Sequence, residues 1–390
     1  MTRRGADVTR DGADANDASP LCIGLMTGTS LDAVDAVLAR FEPVRLAGFA
    51  SRALPDGLRA SLAALQQPGP DELHRAALAA NALVDLYAAT VDDLLRAGGI
   101  AAGRVAAIGA HGQTVRHRPE LGYTIQLNNP ARLAELAGID VVADLRSRDV
   151  AAGGQGAPLV CAFHRFAFAH SSERRAIVNL GGIANLTVLP AGVADADADG
   201  ERAVAGWDCG PAGVLMDGWC ERHLGARYDA AGRWAAGGRV LPALLARLLA
   251  EPYFGRSPPK STGRDLFGLG WLDAHLHAAF GARPPAAADV QATLLELTAS
   301  TVADACRSVR PDRVLLCGGG AANAALRARI GRLVAPVPLG ITDEFGVPAQ
   351  AVEALAFAWL AHQHLRGRPG SLPGVTGARG ARLLGARYPA

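Results

Sequence analysis

Apolar residues in this chain fall first into short runs and then into helical stripes, and the order of the two repeats once. Residues 21–29 and 34–41 are apolar runs split by a small-residue turn, Thr27 to Ser30, and a third run covers 44–52. The pattern predicts a strand, a tight turn, a returning strand and a third strand. From about Asp71 to Arg96, Leu78, Leu83, Leu86, Val91, Leu94 and Leu95 fit a helical stripe, with Asp71 as N-cap and Gly98-Gly99 as the stop. A short strand, Val105 to Ala110, then ends in His111-Gly112-Gln113-Thr114. A helix over 130–137 opens with Pro130. The next strand, Asp140 to Ala143, runs into Asp144-Leu145-Arg146.

The second half starts the same way. A helix near 158–169 precedes a strand over 176–180, the turn Gly181 to Asn185, and a returning strand over 186–189. Residues 194–202, rich in Asp, Ala and Gly, read as a solvated loop tip. Helices follow near 210–224, 239–250 and 287–309. A strand over 313–317 then ends in Gly318-Gly319-Gly320, before a helix over about 323–330 and a last helix over 349–365. Two halves that each open on a hairpin predict a duplicated α/β fold with a ligand between the copies, at the carboxyl ends of strands.

Length and charge narrow the partners. A chain of 390 residues, half of them hydrophobic, makes two domains with sizeable cores. With 39 basic and 37 acidic residues the net charge is +2, which gives no electrostatic reason to expect a nucleic acid or a membrane surface. Six scattered cysteines without a CxxC pair argue against zinc and for buried, reduced thiols in a cytoplasmic protein. Ten histidines show no HExxH or paired metal spacing. Residues 1–20 lack an apolar core, so they are expected to be a disordered extension and not a signal peptide. No apolar run is long enough to span a bilayer. Lys260 is the only lysine; every other basic residue is arginine, a bias in keeping with genome base composition.

The candidate chemistry lies in the turns. Gly28, Thr29, Ser30 and Leu31 offer backbone N–H groups and two hydroxyls, with Asp32 and Asp35 just beyond. Such a turn suits a nucleotide phosphate, and the two carboxylates suit a metal ion or a phosphate acceptor. A second turn of the same kind is Asn179-Leu180-Gly181-Gly182-Ile183-Ala184-Asn185. A third, Gly318-Gly319-Gly320 up to Asn323, leads from a strand into a helix start. None has P-loop or GxGxxG spacing, but three in one chain point to an ATP-type ligand. Asp208, in Gly206-Trp207-Asp208-Cys209-Gly210-Pro211, is either a general base or the N-cap of a helix starting near Pro211, and spacing leaves both open.

His111, Gln113, Asp144, Arg146, Gln155 and Gly156 bring together imidazole, amide, carboxylate and guanidinium groups, a set suited to a sugar bearing a carboxylate. The plainer alternative makes Asp144–Arg146 and Asp149–Arg148 surface ion pairs. The segment from Lys260 to Asp265 is either an exposed loop or a mobile lid. Glu353, near the start of the last helix, either reaches a metal held by ATP or complements the helix dipole.

Together these motifs resemble the anhydro-N-acetylmuramic acid kinase family, within the actin/Hsp70/hexokinase-like ATPase superfamily. The match runs over nearly all of 21–385. It is carried by Gly24-Leu25-Met26-Thr27-Gly28-Thr29-Ser30-Leu31-Asp32, His111-Gly112-Gln113-Thr114, Ala143-Asp144-Leu145-Arg146, Ala151 to Pro158, Asn179 to Asn185, Asp208-Cys209-Gly210-Pro211 and Ser261-Thr262-Gly263-Arg264.

The resemblance implies an α/β fold of two related ribonuclease-H-like domains, 21–150 plus 349–390 and 151–348, around a central ATP/sugar cleft. It implies a cytoplasmic kinase, a homodimer, that uses ATP and Mg²⁺ to open and phosphorylate a 1,6-anhydro amino sugar in cell-wall recycling. Asp208 would be the base. Asp208 and Glu353 would face the metal, the three turns would hold ATP, and the polar cluster would hold the sugar. The chain departs from the family pattern at Thr27, Ala33, Cys209, and at Gln350 and Val352, where an acid and a lysine are usual. Met26 and Asn179 stand where the wider superfamily commonly has Asp. Two rivals remain at this stage: a kinase of another anhydro sugar such as levoglucosan, and a non-catalytic ATP-binding scaffold of the actin/Hsp70 type.

Overall fold

The structure is a computed structural model that describes residues 19–28, 31–193, 203–258, 260–264 and 266–390. Thr29, Ser30, Asp265, the loop tip at 194–202 and all but the last two residues of the predicted 1–20 extension lie outside the described residues. The strands are β1 (Leu21–Thr27), β2 (Ala33–Phe41), β3 (Val44–Ala53), β4 (Val105–Ala110), β5 (Gln113–Arg118), β6 (Tyr123–Leu127), β7 (Val141–Ala143), β8 (Arg175–Leu180), β9 (Ile183–Leu189), β10 (Ala205–Pro211), β11 (Arg313–Cys317), β12 (Leu339–Ile341) and β13 (Ala386–Tyr388). The helices are α1 (Asp56–Ala64), α2 (Glu72–Gly98), α3 (Pro130–Ala137), α4 (Ser147–Ala151), α5 (Val160–Phe168), α6 (Gly213–Leu224), α7 (Arg233–Ala236), α8 (Pro242–Leu249), α9 (Leu269–Phe280), α10 (Ala287–Val309), α11 (Ala324–Val334), α12 (Val352–Leu365) and α13 (Pro373–Thr376).

The two large sheets share one topology. In the first, β1, β2 and β3 form an antiparallel meander and β4 and β7 add in parallel beyond β1, giving the order β13-β7-β4-β1-β2-β3. In the second, β8, β9 and β10 form the meander and β11 and β12 add in parallel beyond β8, giving β10-β9-β8-β11-β12. The duplication is what the paired hairpins predict, and the ribonuclease-H-like arrangement of each sheet is what the family resemblance implies.

Three apolar clusters stack the molecule into layers. One packs α1, α2 and α3 on the outer face of the first sheet, and another packs α6, α8, α9, α10 and α11 on the outer face of the second. The third lies between the sheets and is built from α5 and α12, with Cys22, Val37 and Ala107 on one side and Ile177, Leu189, Leu315 and Cys317 on the other. Burying two sheets on both faces is what half-hydrophobic composition allows.

The seat of α12 is set by two glycines. Gly24 on β1 and Gly109 on β4 are in register. A Cβ at Gly24 would lie 1.9 Å from the Ala354 carbonyl oxygen, and one at Gly109 would lie 2.0 Å from that of Phe357. Only glycine lets the helix backbone rest directly on the strands, and the contact places the first turn of α12, with Glu353, at the ends of β1 and β8.

Several elements differ from expectation. The run 205–211 is a strand, and the helix predicted from 210 starts at Gly213. The polar stretch 113–127 pairs as the hairpin β5–β6. Helices α1, α4 and α9, and the short edge strands β12 and β13, were not predicted. The edge strands have three residues each, too few to show a period. Asp71 stands at the N-cap of α2, but with φ at 50° and no side-chain capping bond. The predicted stop is present: Gly99 ends the helix in the left-handed conformation.

Candidate functional site

Asp208 lies within β10. The pairing of β10 with β9 breaks register between Asp208 and Gly210, a bulge with Cys209 as the extra residue. Such bulges re-aim side chains. Gly210 has φ at 147°, and a Cβ there would meet the Phe254 ring at 2.6 Å. Asp208 does not cap a helix. The opening N–H groups of α6 go elsewhere: Ala212 and Val214 donate to the Gly182 carbonyl and Gly213 to that of Gly181, at 2.9 to 3.0 Å. Turn and helix N-terminus therefore form one unit, and the N-cap alternative for Asp208 is set aside.

The segment 253–262 wraps Asp208. Thr262 N–H donates to Asp208 Oδ2 at 3.0 Å, Asp208 N–H donates to the Lys260 carbonyl at 3.2 Å, and the Tyr253 hydroxyl donates to the Asp208 carbonyl at 2.9 Å. Burial pushes the Asp208 carboxyl up to about 6, against the pull of the Thr262 N–H and of Arg146. The segment from Lys260 to Thr262, which the sequence left open between exposed loop and mobile lid, holds Asp208.

Arg146 follows β7 and holds the polar cluster together. Its Nε and Nη2 donate to His111 Nε2 at 3.1 and 2.9 Å, and its Nη1 donates to the Gly156 carbonyl at 2.7 Å. Burial brings its pKa down to about 10, opposed by Glu353, Asp149 and Asp208. Burial and then Arg146 drive His111 well below the usual histidine range, so its ring is neutral and Nε2 accepts. The ring lies 4.6 Å from that of Phe357 on α12. His111 Nδ1 faces the Thr27 and Gly112 backbone without a hydrogen bond of normal geometry.

Asp149 pairs neither with Arg148 nor with solvent. It is fully buried, and its oxygens accept from Gly156 N–H at 2.8 Å and the Thr376 hydroxyl at 2.9 Å. Gln155 is exposed, and its N–H donates to the Thr376 carbonyl at 2.7 Å. Gln113 is buried, and its Oε1 has no partner among the described residues. Asp144 is exposed at the end of β7, with φ at 55°.

Glu353 is raised by burial and by Asp35, and is held back by a hydrogen bond with Asn179 and by Arg146. It therefore joins the first sheet's Asp35, the second sheet's Asn179 and the Arg146 cluster. Asp35 accepts from the Ser51 hydroxyl at 2.6 Å and is itself raised by burial. In the first turn, Leu31 N–H donates to the Gly28 carbonyl at 3.2 Å and Leu31 has φ at 58°; Thr29 and Ser30 lie outside the described residues.

The second and third turns meet. Gly318 has φ at 80°, a Cβ there would lie 2.3 Å from Asn179 Oδ1, and one at Gly320 would lie 2.7 Å from Leu180 Cβ. Gly319 is exposed. Asn185 keeps a buried Oδ1 without a partner among the described residues. Asn323 is committed to structure: its side chain caps α11 by accepting from Leu326 N–H at 3.0 Å.

Three groups were absent from the predicted site. Thr262 gives its N–H to Asp208, and its buried hydroxyl has no partner among the described residues. Asp217 on α6 is raised to about 7 by burial and by Asp32, with Arg264 pulling the other way. Arg264 itself is lowered by burial beside Asp32 and Asp217. The signal for Asp217 was an acid inside the apolar run Val214 to Trp219.

Two like α/β halves, with the Asp208 carboxyl and the Arg146 guanidinium near enough to feel each other's charge, define a two-lobed α/β enzyme. The chain belongs to the anhydro-N-acetylmuramic acid kinase family, whose model matches residues 20–390. The anhydro-N-acetylmuramic acid kinase of Variovorax paradoxus is 56% identical over 381 residues, which is 96% of this chain and 100% of that protein. That of Bordetella avium is 57% identical over 370 residues, 94% of this chain and 96% of that protein. Among solved structures, component A of the (R)-2-hydroxyglutaryl-CoA dehydratase of Acidaminococcus fermentans is 14% identical with a TM-score of 0.47, covering 88% of this chain and 98% of that one.

Proposed function

We infer that this protein is an ATP-dependent kinase that opens 1,6-anhydro-N-acetylmuramic acid with water and phosphorylates it at O6, giving N-acetylmuramate 6-phosphate and ADP. Near-complete, high-identity similarity to kinases of that name supports the activity and leaves the levoglucosan and scaffold readings without support. The observation that carries the mechanism is the half-buried Asp208 carboxyl, held on one oxygen by the Thr262 N–H and close enough to Arg146 to feel its charge.

Asp208 acts as the base. One oxygen is occupied by the Thr262 N–H, and the other takes a proton from water. The water oxygen bonds to C1, the C1–O6 bond breaks, and O6 takes the γ-phosphoryl group as ADP leaves. Arg146, fixed by His111 and Gly156, keeps N–H donors for the lactyl carboxylate, which it can grip as a charge-assisted pair. Gln113, Asp144, Gln155 and Gly156 complete the sugar side. Gly28, Thr29, Ser30, Leu31, Asp32, Asp35, Asn179, Gly181, Gly182, Asn185, Gly318, Gly319 and Gly320 form the ATP side, with Asn323 holding the α11 start behind them.

Glu353 and Asp208 would face a Mg²⁺ carried in by ATP, which would supply charge stabilisation at the phosphates during transfer. Among the described residues no group of three or more His, Cys, Asp or Glu is set to hold a metal. The donors present fit a cation bound mainly by phosphate and water with one or two carboxylates. Glu353 and Asp208 are the candidates, and Glu353 is free of duty as a base. The protein works in the cytoplasm as a homodimer, as its family resemblance implies.

Turnover in ¹⁸O-labelled water tests the chemistry. The label should enter the C1 hydroxyl and not the phosphate, and Asp208→Asn should abolish turnover while sparing ATP binding. Label in the phosphate, or an undiminished rate in Asp208→Asn, would refute the assignment.

A further inference from the structure

The only lysine in the chain is spent on structure at the site. Lys260 Nζ donates to the carbonyls of Phe254 and Tyr253 at 3.1 and 3.3 Å and lies 4.9 Å from the centre of the Tyr253 ring. An ammonium has three donors that turn freely, and its charge is attracted to an aromatic face. Two adjacent carbonyls beneath a ring match that shape, whereas the flat fork of a guanidinium does not. The contact closes the excursion between Phe254 and Lys260 into a loop.

Outside its pairing with Asn185 on β9, the hydrogen bonds to Asp208 described above come from the two ends of that loop. Tyr253, at one end, takes the Asp208 carbonyl; Lys260 and Thr262, at the other, take its N–H and Oδ2. Cutting the lysine staple frees the two ends from each other without removing any group that touches Asp208.

We propose that Lys260 is a positioning residue for Asp208: by stapling its own strand to the Tyr253–Phe254 corner it keeps the Thr262 N–H on Oδ2, so that only Oδ1 is open to a proton. The proposal rests on Asp208 being the base. Loosening the Thr262 N–H bond leaves the carboxyl badly aimed at its water.

The test uses the full-length enzyme with Lys260→Met, Lys260→Arg and Lys260→Cys, with ATP binding and melting temperature checked for each. Lys260→Met should lose roughly tenfold or more in kcat, with KM for ATP and for the anhydro sugar changed little. Lys260→Arg should not rescue it. Lys260→Cys should be rescued by alkylation with bromoethylamine, which rebuilds an ammonium at that place; the six native cysteines are buried and out of the reagent's reach. A wild-type kcat in Lys260→Met, a loss of kcat matched by an equal rise in both KM values, or failure of the alkylated Cys variant to recover would each overturn the proposal. If Asp208→Asn keeps full turnover, it is the base assignment that falls, and Lys260 with it; if Asp208→Asn is dead and Lys260→Met is not, only the staple falls.

Discussion

Asp208 is where sequence, burial and chemistry meet, and its pKa sets a rate prediction. A base must be ionised, so kcat/KM should fall as pH drops through about 6, the value to which burial pushes this carboxyl. A flat profile down to pH 4.5 would contradict the assignment. Stability carries the same shift with its own sign. The folded value lies above the unfolded value of 3.8, so the native state binds more protons between about pH 4 and 6. The favourable contribution is whole below that window and is lost as pH rises through about 6. Asp208→Asn, which mimics the protonated form, should therefore stabilise the protein at pH 8, by on the order of 2–3 kcal/mol, and should gain almost nothing near pH 4. Melting curves at the two pH values decide it.

Asp208, Arg146 and the glycine turns were legible in the sequence because their chemistry is local. That Asp208 caps no helix was not, since a β-bulge leaves no mark in a run such as Trp207-Asp208-Cys209-Gly210. Thr262 stood in a quoted motif, but its bond to Asp208 was not legible, because its contribution is a backbone N–H, which any residue has. Asp149 illustrates the opposite error. Its neighbour Arg148 suggested a surface pair, but the partners are Gly156 and Thr376, the latter far along the chain.

Among the elements, α12 and α13 do the positioning. Gly24→Ala would drive a methyl into the Ala354 carbonyl at 1.9 Å. It should cost about 3 kcal/mol and shift Glu353 away from Asn179. A melting temperature within a degree of wild type would mean that the helix does not sit where described. Thr376→Val removes one hydrogen bond from the buried Asp149 carboxylate and leaves that oxygen unpaired, at a cost of about 1–3 kcal/mol. Because Asp149 and Thr376 together hold the 153–156 loop, KM for the sugar should rise while KM for ATP stays put. Equal changes in both would contradict that role. Long periodic elements such as α2 and α10 were readable from their stripes. Strand β10 was not, because Gly-Pro after Asp208 looks like a helix opening, and the three-residue edge strands carry no pattern at all.

For the whole molecule, duplication was the feature most plainly written in the chain. Two hairpins with small-residue turns announced two sheets of one topology, and the structure has them. How the halves touch was not written there, because the contacts join residues far apart. Arg59 of α1 reaches Glu221 of α6 at 2.7 and 2.8 Å. With both side chains partly open to water, the pair should be worth under about 1 kcal/mol, so Glu221→Gln should barely move the melting temperature. The halves are held by the shared apolar layer around α5 and α12, and a ligand binding both sides adds to that. Mg·ATP with a bound sugar should raise the melting temperature beyond either alone.

Whether this fold phosphorylates an anhydro amino sugar with ATP is read from ADP release by the purified protein with Mg·ATP and 1,6-anhydro-N-acetylmuramic acid, run beside levoglucosan and beside no sugar. Release with the anhydromuramic acid alone, together with a 6-phosphate product, is the predicted result. Release that is equal without sugar, or that is driven by levoglucosan instead, would contradict the account.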